Sequence, residues 1–260
     1  AAAANLVPVT LELGGKSPVV VGPNVDPGFV ARRLAFGKFL NAGQTCIAPD
    51  TVLVHQSVAD ALPAELQSAI TRFYGKDPQK SADYGRIVSD RHFDRIAGML
   101  GQAEVLFGGT HNRGSRYVSP TVTTEPRPGS ELAEEEIFGP ILPLRVWSGP
   151  EELHEMLGSF GRPLAFYTFT GDRAFAESLR ERFPAGAHVV NEVVSHITSP
   201  RLPFGGVGES GMGQYHGRFS IETFTRPMTH FSRRAGRELR FAYPPYSERV
   251  KRLVSAVFNR

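Results

Sequence analysis

The apolar positions change their period along the chain, and each change marks an element. Val9, Leu11 and Leu13 alternate with polar neighbours, the two-residue period of a strand with one wet face. Gly14 and Gly15 interrupt it and the unbroken run Val19, Val20, Val21 follows, so the segment reads as strand, turn, strand. From Asp26 the spacing lengthens. Val30, Leu34 and Gly37, with Ala31 and Ala35 beside them, make one face of a helix whose Arg32, Arg33 and Lys38 are left to water. Asp26 suits its N-cap and Pro27 its first turn. Residues 41–43, rich in left-handed tolerance, should end it.

The same switching continues downstream. "TVLVHQ" reads as a strand, and Ser57 with Asp60 as a capping box for a helix through Ile70. Ser89 caps a helix with Phe93, Ile96, Ala97 and Leu100 inward. "EVLFGG" is a short strand, "RYVSPTVTT" a strand interrupted by Pro120, and "GPILPLRVW" a third. A short helix is expected over 151–160, then a strand at "LAFYTFTG". A helix capped by Asp172 ends near Arg182 or Phe183, before a last strand at "GAHVVNEVV". Strands separated by helices predict an α/β layered fold. The four opening alanines read as the last turns of a helix.

Composition narrows the class. The 260 residues are 41% hydrophobic and 21% charged, ordinary for one large or two smaller globular domains. With 27 Gly and 20 Pro the chain is too rich in turns for a bundle or coiled coil. No stretch approaches the ~20 apolar residues of a membrane span, and the start lacks the basic and apolar regions of a signal peptide. The single cysteine, Cys46, excludes an intramolecular disulfide and suits a reducing cytoplasm. The net charge of +3 is uneven. Arg226, Arg233, Arg234, Arg237, Arg240, Arg249, Lys251, Arg252 and Arg260 face only Glu238 and Glu248 near the C-terminus. Phe231, Phe241, Tyr243 and Tyr246 among them point to some packing. A solvated segment or a partner surface explains such a tail, and it lacks any spacing for groove or base contact, so nucleic acid is not the expected partner.

Three segments carry candidate chemistry. Cys46 lies in "NAGQTCIAPD", a turn after an apolar helix, where core filler, a reactive thiol and a metal ligand all remain open. Glu12 in "LELGGK" is either an exposed edge residue or a carboxylate at a strand end, placed as a base. In "EEEIFGPILP", Glu134 and Glu135 are expected in solvent, Glu136 touches a turn, and Phe138 is free to stack on a flat ligand. In "LPFGGVGESGMG" five glycines between Gly205 and Gly213 imply close backbone approach. It is not a P-loop, and no dinucleotide fingerprint occurs anywhere. His188 and His196 have no companions at metal-ligand spacing. The residues alone define an α/β enzyme, with cysteine dependence one of its readings.

The motifs add more. "VTLELGGKSP", "FLNAGQTCIAPD", "EEEIFGPILP", "VVNEVVSHITSPRLPFGGVGESGMGQYHG" and "TFTRP" resemble the aldehyde dehydrogenase superfamily, most of all its class 3 and fatty-aldehyde branch. The order and gaps match too: Cys46 lies 34 residues after Glu12, and Glu136 90 residues after Cys46. The resemblance covers nearly the whole chain, weakening after about residue 235. It implies an aldehyde dehydrogenase-like catalytic domain with a remnant of a Rossmann-like cofactor domain: residues 1–25 the end of the cofactor domain, 26–215 the catalytic domain, 216–260 a returning segment and basic tail. It implies oxidation of an aldehyde substrate with NAD or NADP, in a cytoplasmic homodimer without a transmembrane anchor. By the same resemblance Cys46 is the nucleophile, Glu12 the general base and Glu136 the glutamate at the nicotinamide ribose. Phe138 is the aromatic beside the nicotinamide, and Gly14 lies where backbone meets the cofactor's reactive end. Asn191, Pro203, Phe204 and Gly205 shape the site from below. Family members carry a long segment ahead of "LELGGK" with a lysine for the adenosine ribose and an oxyanion-hole asparagine, and neither has a counterpart here. The sequence therefore resembles the C-terminal portion only, and an inactive fragment, a structural subunit or a binding module built on the basic tail are the other readings.

Overall fold

A computed structural model describes residues 1–236 and 243–258. They form two compact units, Ala1–Phe224 and Thr225–Arg260. The first is built on a seven-stranded sheet. In chain order its strands are β2 (Pro18–Val21), β3 (Thr51–His55), β4 (Val105–Phe107), β7 (Thr121–Thr123), β8 (Ile141–Trp147), β9 (Ala165–Phe169) and β10 (Ala187–Val190). Their spatial order is β10-β9-β2-β3-β8-β7-β4, parallel throughout except for β4. Two two-stranded ladders stand apart: β1 (Leu11–Glu12) with β11 (Gly211–Met212), and β5 (His111–Asn112) with β6 (Tyr117–Val118).

Strand alternation sorts the core into two layers. Val19, Val21, Val52 and Val54 face one side, where α1 (Pro27–Phe39), α3 (Leu62–Tyr74) and α4 (Asp90–Met99) bring Leu34, Leu66 and Ile96. Val20 and Leu53 face the other, against Leu153 and Leu157 of α6 (Pro150–Gly158) and Leu179 of α7 (Arg173–Arg182). The caps at Asp26, Ser89 and Asp172 form as expected, each side chain accepting from backbone N–H groups of its helix.

Several expectations are corrected. Ser57 caps nothing. His55 Nδ1 accepts from Ser57 N–H to cap a short α2 (Gln56–Ala59), and α3 starts afresh at Leu62 because Pro63 belongs in a first turn. That helix runs on to Tyr74 and stops at Gly75, with φ of 80°. The opening alanines form one 3-10 turn, Ala3–Asn5, ended by Leu6 in the left-handed region. Of the first alternating run only Leu11 and Glu12 are strand. It pairs with β11 instead of the main sheet, and Val9, Leu11 and Leu13 are exposed. Pro120 splits the expected single strand, sending 117–118 and 121–123 to different sheets. Lys38, read as a water-facing residue, is buried on the α1 face.

Two further helices are α5 (Glu131–Glu134) and α8 (Gly217–Phe224), and the second unit contains α9 (Glu248–Phe258). Phe231, Tyr243 and Tyr246 are exposed. Arg237, Glu238, Arg240, Phe241 and Arg260 lie outside the described residues.

Candidate active site

Cys46, Glu12 and Glu136 lie in the segments that enter the amino ends of β3, β2 and β8, three neighbouring strands. Parallel pairing thus gathers residues far apart in sequence at one end of the sheet. After α1 the chain turns sharply through Asn41 and Ala42, both with φ of 52°, and Gly43 at 75°. A side chain at Gly43 would put Cβ 2.2 Å from the Gly139 carbonyl oxygen, so only glycine lets the two turns meet. Gln44 then fastens the turn. Its Nε2 donates to the carbonyls of Asn41 (2.9 Å) and Arg86 (3.0 Å), and its Oε1 accepts from Val88 N–H (2.9 Å). From the far side the Tyr167 hydroxyl donates to the Ile47 carbonyl at 2.6 Å. Cys46, half-buried at the edge of the core, is held between these anchors.

The Glu12 carboxylate lies near the thiol. Burial pushes the thiol up to about 11, and the nearby Glu12 and Glu136 carboxylates add to the effect. The resting group is therefore protonated at neutral pH and beside a carboxylate able to take its proton. Glu12 itself is exposed on β1, and the Tyr215 hydroxyl donates to its Oε2 at 3.5 Å. Tyr215 is carried there by a two-way backbone bridge with Phe204, of 2.9 and 2.8 Å. Phe204 is buried and stacks on His216. Gly205 lies so close to the Gly213 carbonyl that a Cβ would sit 2.2 Å from it.

Glu136 is held against Gly14. Its Oε2 accepts from Gly15 N–H at 3.0 Å, and a Cβ on Gly14 would lie 2.1 Å from that oxygen. The turn behind it is tied down by Arg95, which donates to the carbonyls of Glu136 (2.7 Å) and Ile137 (3.0 Å). Asp50 Oδ2 accepts from Ile137 N–H at 2.9 Å while Oδ1 pairs with Lys16 Nζ at 2.6 Å. Burial raises the Glu136 carboxyl above its ordinary range; the Gly15 N–H opposes this, the Asp50 charge adds to it, and Lys38 and Lys16 oppose it. Burial likewise brings Lys38 down to about 8, against the pull of Asp50. Phe138 has φ of 49°, an uncommon conformation for a non-glycine residue, with its carbonyl bonded to His92 Nε2 at 2.7 Å and its ring partly exposed.

The remaining candidates are more distant. Asn191 leaves β10 with φ of 57°, and its amide clasps Thr170, accepting from N–H at 2.9 Å and donating to C=O at 2.8 Å. Those bonds lie beyond the carboxyl end of β9, not beside Cys46. Pro203 is exposed. Sequence reasoning passed over Lys16, Lys38, Asp50, Arg95, Tyr167 and Tyr215. Lys16 and Asp50 had a signal, being charges set directly against the apolar runs of β2 and β3. His196, read as ordinary, has both ring nitrogens buried without a partner among the described residues.

The fold and the clustered thiol and carboxylates agree with what comparison shows. Residues 1–230 match the Aldehyde dehydrogenase family, and the chain belongs to it. Aldehyde dehydrogenase family 3 member B1 of Rattus norvegicus is 44% identical over 262 residues, 100% of this chain and 56% of the relative. A Rattus norvegicus aldehyde dehydrogenase described as dimeric and NADP-preferring is 44% identical over 225 residues, 86% of this chain and 50% of the relative. The solved structure of Staphylococcus aureus AldH in a substrate-bound state superposes with a TM-score of 0.91 at 40% identity, covering 98% of this chain and 56% of that one. The chain spans about half the length of the curated relatives it matches.

Proposed function

We propose that the complete protein oxidises an aldehyde to a carboxylic acid through Cys46, with Glu12 as the base. The gathering of Cys46, Glu12 and Glu136 at the amino ends of three neighbouring strands, with both carboxylates acting on the thiol, is the observation that carries this reading. A thiol held up to about 11 is almost wholly protonated at neutral pH. Attack therefore needs the proton to leave as the carbon–sulfur bond forms, and Glu12 is the neighbouring carboxylate that would accept it. The aldehyde oxygen becomes the thiohemiacetal oxygen. NAD(P)+, when bound, supplies the hydride acceptor that leaves a thioester on Cys46. With the thiol proton released to solvent, Glu12 takes a proton from water as the water oxygen attacks the acyl carbon; the carbon–sulfur bond breaks, the sulfur takes that proton back to restore the thiol, and the acid departs.

The residues present fit the reactive end of that cofactor. Gly14 leaves a backbone surface that any side chain would close, the Glu136 carboxylate lies on it, and the Phe138 ring is partly exposed. Glu136 Oε1 is outside the Gly15 bond and would take a ribose hydroxyl, while Phe138 would flank the nicotinamide. In this reading 1–25 is the end of a cofactor domain, 26–215 the catalytic domain and 216–260 the return segment and basic tail. The complete protein is then a cytoplasmic homodimer using NAD or NADP. Phe204 and Gly205 support the site from behind, through Tyr215.

The test is acyl-enzyme trapping in the complete protein. Wild type supplied with aldehyde and NAD(P)+ should show an acyl mass on the peptide containing Cys46, longer-lived in E12Q. Turnover with no acyl group on that peptide in either protein would overturn the proposal.

A further inference from the structure

The same sheet has a second concavity at its opposite end. A cavity of about 490 Å³ lies at the carboxyl ends of β9, β2, β3 and β8, within the size range of small-molecule sites. In open parallel sheets this end, where connections diverge to opposite faces, is the usual ligand position. Here α1 leaves β2 for one face and α7 leaves β9 for the other, and the opening falls between them. None of the candidate active-site residues lines it.

Its walls are aromatic and its charge is negative. Trp147 and Phe175 stack at 6.1 Å with 17° between planes, His55 meets Trp147 edge-on at 4.6 Å, and Pro23 and Pro150 form rims. The Trp147 N–H is already given to the Leu53 carbonyl and His55 Nδ1 accepts from the Ser57 N–H, so the ring surfaces are what the wall offers. Asp172 lines the cavity with Oδ1 engaged in capping α7, through Ala174 and Phe175 N–H, while Oδ2 takes no part in the cap. Among the described residues no Lys or Arg lines the cavity. A phosphate or carboxylate would meet the Asp172 carboxylate with no cation to hold it, which sets this place apart from a dinucleotide or acid-product site.

We infer that this cavity is a binding site for a small aromatic amine, its ring against Trp147 and Phe175 and its ammonium on Asp172. Rings prefer such stacked or edge-on surroundings, and a cation gains from both carboxylate and aromatic faces. Trp147 is the only tryptophan of the chain, so its emission reports this site alone.

Benzylamine is the probe, titrated into the full chain under selective tryptophan excitation. The expected result is a saturable emission change with an affinity about millimolar or tighter. Benzoate, the same ring with the opposite charge, should give none at tenfold higher concentration. Asp172→Asn should weaken benzylamine by about fivefold, the size of one exposed ion pair. Asparagine caps helices as well as aspartate, so the variant keeps α7. No saturable change with benzylamine, equal binding of benzoate, or unchanged affinity in a folded D172N protein would each overturn the assignment.

Discussion

The two ends of the central sheet are built by opposite means. At the amino ends of β2, β3 and β8 the turns touch each other, and Gly14, Gly43 and Gly139 sit where a Cβ would collide with a neighbour at 2.1, 2.2 and 2.5 Å. Charges are buried there, Lys16 with Asp50 and Lys38 below Glu136. At the carboxyl ends the loops stand apart, rings line the gap, and Gly171 has nothing within 4 Å of its missing Cβ. One end places atoms tightly and the other leaves room. The proposed chemistry sits at the crowded end, although open parallel sheets usually bind ligands at the other. The helix leading into the cysteine turn arrives by its C-terminus, whose dipole disfavours a thiolate. This fits a thiol pushed up to about 11 by burial and carboxylates.

The sharpest way to break the contrast is chemical. Cys46→Ala in the complete protein should abolish aldehyde oxidation, a loss beyond about a thousandfold, with the unfolding midpoint nearly unchanged; surviving turnover would remove the amino end from the chemistry. Glu12→Gln should lower turnover by about a hundredfold or more. Near-normal turnover in a folded E12Q protein would remove Glu12 from the chemistry.

Packing gives the next pair of effects. Gly43→Ala, forced into both a positive φ and the Gly139 carbonyl, should cost about 2–4 kcal/mol by denaturant titration. Lys38→Met removes a lysine whose folded value, about 8, lies below its ordinary 10.5. The unfolded chain binds more protons between those values, so wild-type stability rises as pH climbs through that window. The variant should gain about 1–3 kcal/mol below pH 8, a gain that fades toward pH 10.5; a pH-independent difference would show that the charge is not its source. The smallest effect belongs to the roomy end, where Gly171→Ala should stay within about 0.5 kcal/mol of wild type.

Much of this was legible, and Lys38 shows what was not. The helix period was correct, since Val30 and Leu34 are followed at the next four-residue step by Lys38, and the face is buried throughout. Charge was allowed to override spacing, and spacing won because Asp50 and Glu136 approach from other elements. The caps at Asp26, Ser89 and Asp172 act within a few residues and were readable. Ser57 failed because Pro63, six residues on, had the stronger claim to a helix start. Glu12 and Cys46 lie in the segments that enter β2 and β3, and the pairing that brings those segments together exists only in the folded sheet. Asn191 shows the reverse: its motif was visible, but its clasp on Thr170 lies at the other end of β9.

The ladder of β1 with β11 joins residues some two hundred positions apart by two paired residues and the bond from Leu13 N–H to the Ser210 carbonyl. A contact that short and that exposed opens far more often than the sheet behind it unfolds. Glu12 rides on it. If Glu12 is the base proposed, the fraction of molecules able to deprotonate Cys46 is a local equilibrium, separable from global stability. Amide exchange at Leu13 would follow that equilibrium, and conditions that leave the core protected could silence the base by loosening a single clasp.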